Sequence, residues 1–404
     1  MFIIHDSQFF TNLLNVSDMN NIEFGFKYHC LLFLSVMLLC GCNNKNGSTV
    51  DLDVVEELEL NSQTSQVKIT PIKSSVPMDG IHRIVEYGEY LFLLGNHCNA
   101  IYCVQGDTVV SILNAKGRGK GEYSTINDFT YDERSNLLYV SADRRILKYK
   151  VPSMSFVESF DINFTSDGMI VLNDNELLVN CCFWEDNSYK DVYRGLCVVS
   201  TVNGEIVKRC YELGGYGDFC FLTRDLTSIN DEIIVAVNDL HSNKVIKYDE
   251  NTSSFKTIES FVVTPKWRVP RKIAKSLEKR HITLKNDYYD QKVYCKGFHY
   301  PSIFDTKIIC WCFPEEYETS REVAIIKDKD HLFCRSYKIS GTNIDVYPYY
   351  VKGNNFVEII EGEAESIIED WDELSPLGRE IYEAMKAQPF NNPVLLSFTV
   401  DKGL

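Results

Sequence analysis

Positive charge is scarce in this sequence. Its 404 residues carry 41 Lys and Arg against 57 Asp and Glu, a formal net charge of −16. Nucleic-acid binding draws on a basic face that displaces counterions from phosphates, so that class is excluded. Chemical signatures are missing as well: there is no G-x-S-x-G nucleophile elbow and no H-E-x-x-H zinc helix. His82, His97, His241, His281, His299 and His331 are scattered without ligand spacing. The cysteines from Cys98 to Cys334 form no C-x-x-C pair, and their pairing cannot be read from spacing. Cys310 and Cys312 flank Trp311 and on a strand would share one face, which suits core packing. No catalytic residue, metal or cofactor is expected.

The apolar run near the N-terminus is too short to cross a bilayer. "YHCLLFLSVMLL", Tyr28 to Leu39, is about a dozen residues where a spanning helix needs roughly 20, and it fits the hydrophobic region of a signal peptide. It follows Lys27 and ends in Leu39-Cys40-Gly41-Cys42. That ending resembles the lipobox of bacterial lipoproteins, with Cys40 where Ala, Ser or Thr is commoner. The resemblance implies that Cys42 is lipidated and that the protein is anchored in the cell envelope, at the outer membrane on its periplasmic or outer face. A start at Met19 would give a more usual signal, so Met1 to Asp18 reads as an over-extended start. Residues 1–42 are thus expected to be a signal peptide, 43–61 a polar, acidic tether, and 62–404 the folded part.

What is abundant is aromatic and β-forming: 23 Tyr and 23 Phe accompany many Val and Ile. Short apolar runs recur, including "YLFLLG" from Tyr90, "NLLYVSAD" from Asn136, "EIIVAVND" from Glu232 and "KIICWCF" from Lys307. Leu91, Leu137, Leu177, Ile233, Ile308 and Phe356 mark equivalent points, and most spacings lie near the ~40–50 residues of a four-stranded propeller blade. Two repeats align directly as hairpins, "LLYVSADRRILKYK" and "IIVAVNDLHSNKVIKYD". A ring closes only where the chain ends meet, so "PVLLSFTV" should complete a blade with strands near "IDVYPYYV" and "NFVEIIEG".

Two segments depart from this pattern. Residues 265–290 hold Lys266, Arg268, Arg271, Lys272, Lys275, Lys279, Arg280 and Lys285 and read as a basic helical insert. It would dock an anionic glycan or membrane surface, pack on the acidic stretch from Glu361 to Glu373, or simply face solvent. Residues 363–388 read as a second helical segment, which Pro376 is expected to interrupt.

The stretch "KGRGKGEYSTINDF", Lys116 to Phe129, looks most like a phosphate cradle. A nucleotide loop runs into a helix N-terminus, and this one runs into β-like alternation with Gly121 where a Walker motif needs Ser or Thr. Its glycines are expected to serve positive φ or close backbone approach at a blade junction.

Gly117-x-Gly-x-Gly-Glu122-Tyr123, then Ile126-x-Asp128-Phe129, Asp132 and "LLYVSAD", with Asn392-Pro393-Val394-Leu395 near the end, resemble the blade signature of TolB-like six-bladed β-propeller lipoproteins of Gram-negative envelopes. Lys120 stands where that family usually has Pro. The resemblance implies an all-β, six-bladed propeller with helical insertions between its late blades, and no assigned activity. Candidate ligand contacts are Arg118, facing the central channel, and Asp128, Asp143 and Asp239 at its mouth. Aspartates in blade turns commonly bind their own backbone, which is the plainer role for the last three. The favoured reading is a ligand- or protein-binding module, its partner an unknown protein or a glycan. The alternative is a propeller enzyme, a glycan lyase or hydrolase.

Overall fold

The computed structural model describes residues 47–61, 66–78, 80–95, 99–185, 190–212, 226–229, 232–238, 243–268, 294–315 and 322–399. Cys42, Asp239 and the basic insert from residue 269 onward lie outside them.

Six antiparallel sheets follow one another along the chain. Blade 1 is β4 (Ile81–Tyr87), β5 (Tyr90–Gly95), β6 (Ala100–Gln105) and β7 (Thr108–Leu113). Blade 2 is β8 (Ile126–Asp132), β9 (Leu137–Ala142), β10 (Arg145–Lys150) and β11 (Ser155–Asp161). Blade 3 is β12 (Thr165–Asn173), β13 (Glu176–Glu185), β14 (Lys190–Ser200) and β15 (Ile206–Glu212). Blade 4 is β16 (Leu226–Ile229), β17 (Glu232–Asn238), β18 (Asn243–Asp249) and β19 (Ser254–Val263). Blade 5 is β20 (Tyr294–Phe304), β21 (Lys307–Glu315), β22 (Val323–Asp328) and β23 (His331–Lys338). Blade 6 takes β24 (Tyr350–Lys352), β25 (Asn355–Ile360) and β26 (Val394–Thr399) from the C-terminal end and β3 (Lys68–Pro71) from the N-terminal end. Each first strand touches that of a neighbouring blade, β8 on β12, β12 on β16, β16 on β20, β20 on β24 and β24 on β4. Those strands surround the centre, which makes the fold an all-β six-bladed propeller.

Period-2 alternation explains why the strands read as unbroken apolar runs. On the inner strands, side chains point to both neighbouring blades and both faces are buried, whereas outer strands such as β11 and β15 are largely exposed. In β5, Phe92 and Leu94 pack with Phe129 and Leu138 of blade 2, while Leu93 packs with Val357 and Leu395 of blade 6. Six such clusters fill the six blade interfaces.

Closure is made by Val394 to Ser397 of β26 pairing antiparallel with Lys68 to Pro71 of β3. Asn392 locks it, its buried carboxamide oxygen accepting from Met78 N at 2.9 Å.

Two expectations are corrected. Residues within 43–61 do not simply tether: β1 (Ser48–Val50) and β2 (Glu56–Glu59) add parallel fifth strands to the outer edges of blades 4 and 5. Their acidity has local partners, Asp53 with Lys266 (2.5 Å), Glu56 with Arg335 (2.9 Å) and Glu57 with Lys338 (2.6 Å). Lys266, at the head of the basic insert, is thus engaged with this N-terminal strap and holds the Asp53 carboxyl below its usual range. Pro376 does not interrupt a helix but opens one. In α1 (Pro376–Lys386), within blade 6, Ser375 caps the N-terminus by accepting from Gly378 N at 3.1 Å, and Pro376 fits the first turn, where an N–H would be unsatisfied.

Candidate functional site

The glycine-rich loop between β7 and β8 lies on the rim where each blade hands over to the next. Its cradle is filled by its own carboxylate. Glu122 accepts from Gly119 N at 2.7 Å, and a Cβ on Gly117 would stand 2.1 Å from a Glu122 carboxylate oxygen. A Cβ on Gly121 would strike the Phe156 ring at 2.5 Å. Close approach, rather than positive φ, is what these glycines serve, because none of the three is left-handed. Buried Tyr123 pins the loop from below, its hydroxyl accepting from Ala115 N at 3.2 Å. Arg118 is exposed on this loop, with no hydrogen bond or ion pair among the described residues.

The aspartates are built into the frame. Asp143 and Arg144 form the two-residue β9–β10 turn, with φ of 53° and 58°, as a tight hairpin of matching twist requires. The Asp143 carboxylate binds Ser124 N at 2.6 Å and the Ser124 hydroxyl, which fastens the turn to the glycine-rich loop. Asp128, fully buried on β8, pairs with Arg83 of β4 at 2.5 Å and accepts from Met169 N of β12 at 2.7 Å. One carboxylate therefore joins the first strands of three blades. The Arg83 guanidinium also lies over the Phe129 ring at 5.6 Å. Beside this pair, the Tyr87 and Thr130 hydroxyls are 3.0 Å apart, and burial raises the Tyr87 pKa. Of the four sequence candidates, Asp128 and Asp143 meet partners within the scaffold, Arg118 stays in solvent, and Asp239 lies outside the described residues. Asp128 is fully buried whereas Arg118 and Asp143 are exposed, so the three do not share one surface.

A ligand-sized space opens elsewhere on the same rim, between blades 5 and 6. This recess of about 370 Å³ is lined by Glu322, Asp345, Glu369 and Glu373, with Lys338 and Ser340 at its side. Three separate segments build it. Glu322 precedes β22, residues 338–346 connect β23 to the last blade, and Glu369 and Glu373 belong to the insertion between β25 and β26. Gly341 holds the segments together. It sits at φ 74°, its carbonyl accepts from Glu369 N and Asp370 N at 3.0 and 3.2 Å, and a Cβ there would stand 2.4 Å from Leu374 Cα. The strap buttresses the wall, because Glu59 accepts from Ser340 N at 3.0 Å and from the Ser340 hydroxyl at 2.6 Å.

Glu358 lies beneath, on the β25 face shared with Phe356 and Ile360. It is 3 % exposed and accepts from Tyr347 N at 2.8 Å. Burial pushes its carboxyl well above the usual range; the Tyr347 N–H pulls the other way, and the charges of Glu322 and Asp345 add to burial. Between Glu369 and Glu373 in the chain stands Trp371, 54 % exposed and packed edge-on against Tyr382 at 5.0 Å. Sequence reading overlooked these residues, although the acidity of the 363–373 stretch was a visible signal. Among the described residues, no group of three or more His, Cys, Asp or Glu is placed to hold a metal ion.

A family profile described as a 6-bladed beta-propeller, DUF5128, matches residues 41–357. A crystal structure of a Bacteroides fragilis NCTC 9343 protein assigned as exported is similar, with a TM-score of 0.65 and 14% identity over 88% of this chain and 100% of that one. At that identity the likeness shows the fold alone. A member of the DUF4221 family from Bacteroides vulgatus ATCC 8482 aligns at a TM-score of 0.43 and 9% identity, over 83% of this chain and 96% of that one. No curated protein matches the sequence. The chain belongs to the DUF5128 family of six-bladed β-propellers.

Proposed function

We propose that this propeller is a binding module of the cell envelope, held there by a lipid on Cys42 as in the TolB-like lipoproteins it resembles, and that it takes a glycan in the recess between blades 5 and 6. The recess itself carries the reading. Its carboxylates offer acceptors for several sugar hydroxyls, and the exposed Trp371, between Glu369 and Glu373 in the chain, would offer an apolar ring face for the C–H side of a sugar. Its walls are anchored by Gly341, by the strap and by α1, so the site is preformed and binding orders little of the chain.

The test is retention of the full-length protein on a panel of immobilised glycans, alongside a matched panel of small amines. Saturable retention on one glycan class, weakened at least tenfold by W371A and by E369Q/E373Q, is the expected result. Retention on amines alone would mean that the carboxylates serve a cation and would replace the glycan reading. Glycan retention untouched by both variants would move the site away from the recess.

A further inference from the structure

We propose that Cys181 and Cys197 are a disulfide-forming pair, joined across blade 3 when the chain folds in an oxidising compartment. The compartment rests on the envelope reading above; the pairing rests on geometry. In the antiparallel β13–β14 ladder, Cys181 stands opposite Gly195, and Val179 stands opposite Cys197. The two cysteines are therefore diagonal neighbours on one face, and Gly195 places no Cβ in the space between them. Their sulfurs are 3.1 Å apart, about 1 Å beyond the roughly 2.0 Å of a disulfide bond, and Cys181 Sγ also lies 3.3 Å from Gly195 O. Both side chains are completely buried in the core shared with blade 2.

Other described cysteines are placed differently. Cys210 is near in the ladder, but it packs against the core shared with blade 4, on the opposite face of the sheet from Cys197. Cys310 and Cys312 lie on one strand, paired to separate residues of β22. Cys103 stands opposite Phe92 and Ser111, and Cys334 stands opposite Ile325, so neither faces another cysteine directly across its ladder.

The oxidant is a disulfide-carrying thiol oxidase, or oxidised glutathione in vitro. The thiolate of one cysteine attacks the oxidant's disulfide and forms a mixed disulfide while one oxidant sulfur leaves as a thiol. The second cysteine then attacks its partner's sulfur, and the other oxidant sulfur leaves. Two protein thiols lose their hydrogens, and the oxidant's disulfide is reduced to two thiols, on one molecule for the oxidase and on two for glutathione. Because both sulfurs are buried in the finished fold, exchange occurs before blade 3 packs on blade 2. The bond closes the β13–β14 hairpin and removes register slip from the unfolded chain.

The full-length protein is recovered in two ways, from the envelope of an exporting bacterium and by refolding in a glutathione redox buffer. Each sample is denatured, alkylated without reduction, and mapped by peptide mass. A Cys181–Cys197 crosslink in both, with a melting temperature a few degrees higher oxidised than reduced and no such difference in C181A/C197A, is the expected result. Alkylation of both cysteines after refolding, or a link from either to Cys182 or Cys210, would overturn the pairing. A crosslink found only after refolding would overturn the compartment and leave the envelope reading without this support. The wild-type peptide map stands whether or not the double variant folds.

Discussion

Arg83 and Asp128 are the kind of pair whose value depends on what is removed. Two charges taken out of water gain little over a well-packed apolar pair, whereas one charge left alone in the centre of the ring is costly. R83M should therefore lower stability by about 3–5 kcal/mol, and R83M/D128N, which keeps an amide oxygen for Met169 N without a charge to bury, should recover most of that loss, as read by urea unfolding. A loss in the double variant equal to the sum of the two single-variant losses would mean that the pair contributes no coupling. Glu358 makes a second residue-scale prediction, this time in pH. Its folded pKa is raised above the ordinary glutamate value of 4.5, so the folded state holds a proton that the unfolded state releases. Its contribution is fully present below that value and is lost as pH rises toward the folded pKa. E358Q keeps an acceptor for Tyr347 N without a charge to bury, so it should melt higher than wild type at pH 8 and converge with it near pH 4. A gap that is the same at both pH values would show that Glu358 does not titrate with folding.

At the scale of elements, the strap distinguishes a tether from a structural strand. Val50 is wholly buried in the core between blades 4 and 5, where Val50 O also accepts from Thr264 N at 2.9 Å. V50D should release residues 47–61 to limited proteolysis while the blades resist. Cleavage at the wild-type rate would restore the tether. The contrast between strap and blades also explains what sequence could and could not say. Leu91, Leu137, Leu177, Ile233, Ile308 and Phe356 each fall in the second strand of a different blade, because a strand buried on both faces leaves an unbroken apolar run. The strap's "EELE" has no such run, and its partners Arg335 and Lys338 lie at the far end of the chain. The recess was illegible for the same reason, since its carboxylates come from three segments that only the fold assembles. Asp128 could be named but its role could not, because Arg83 sits a whole blade away in the sequence.

Over the whole molecule, closure and the site are linked through blade 6. That blade holds the seam between the two ends of the chain and also carries the insertion that walls the recess. N392A removes the oxygen that accepts from Met78 N and leaves that N–H buried, which should cost about 1–3 kcal/mol and loosen β3 before any other strand, as followed by hydrogen exchange. Unfolding that begins in blade 3 instead would place the weak point elsewhere. Placing the ligand on the rim between blades 5 and 6, and not in the channel beside Asp128, is the central claim. It is tested most directly by amide hydrogen exchange with and without a saturating glycan. Slower exchange is expected in residues 338–346 and 366–374, with β4 and β8 unchanged. Protection confined to the first strands around the channel, or to the glycine-rich loop around Arg118, would contradict it.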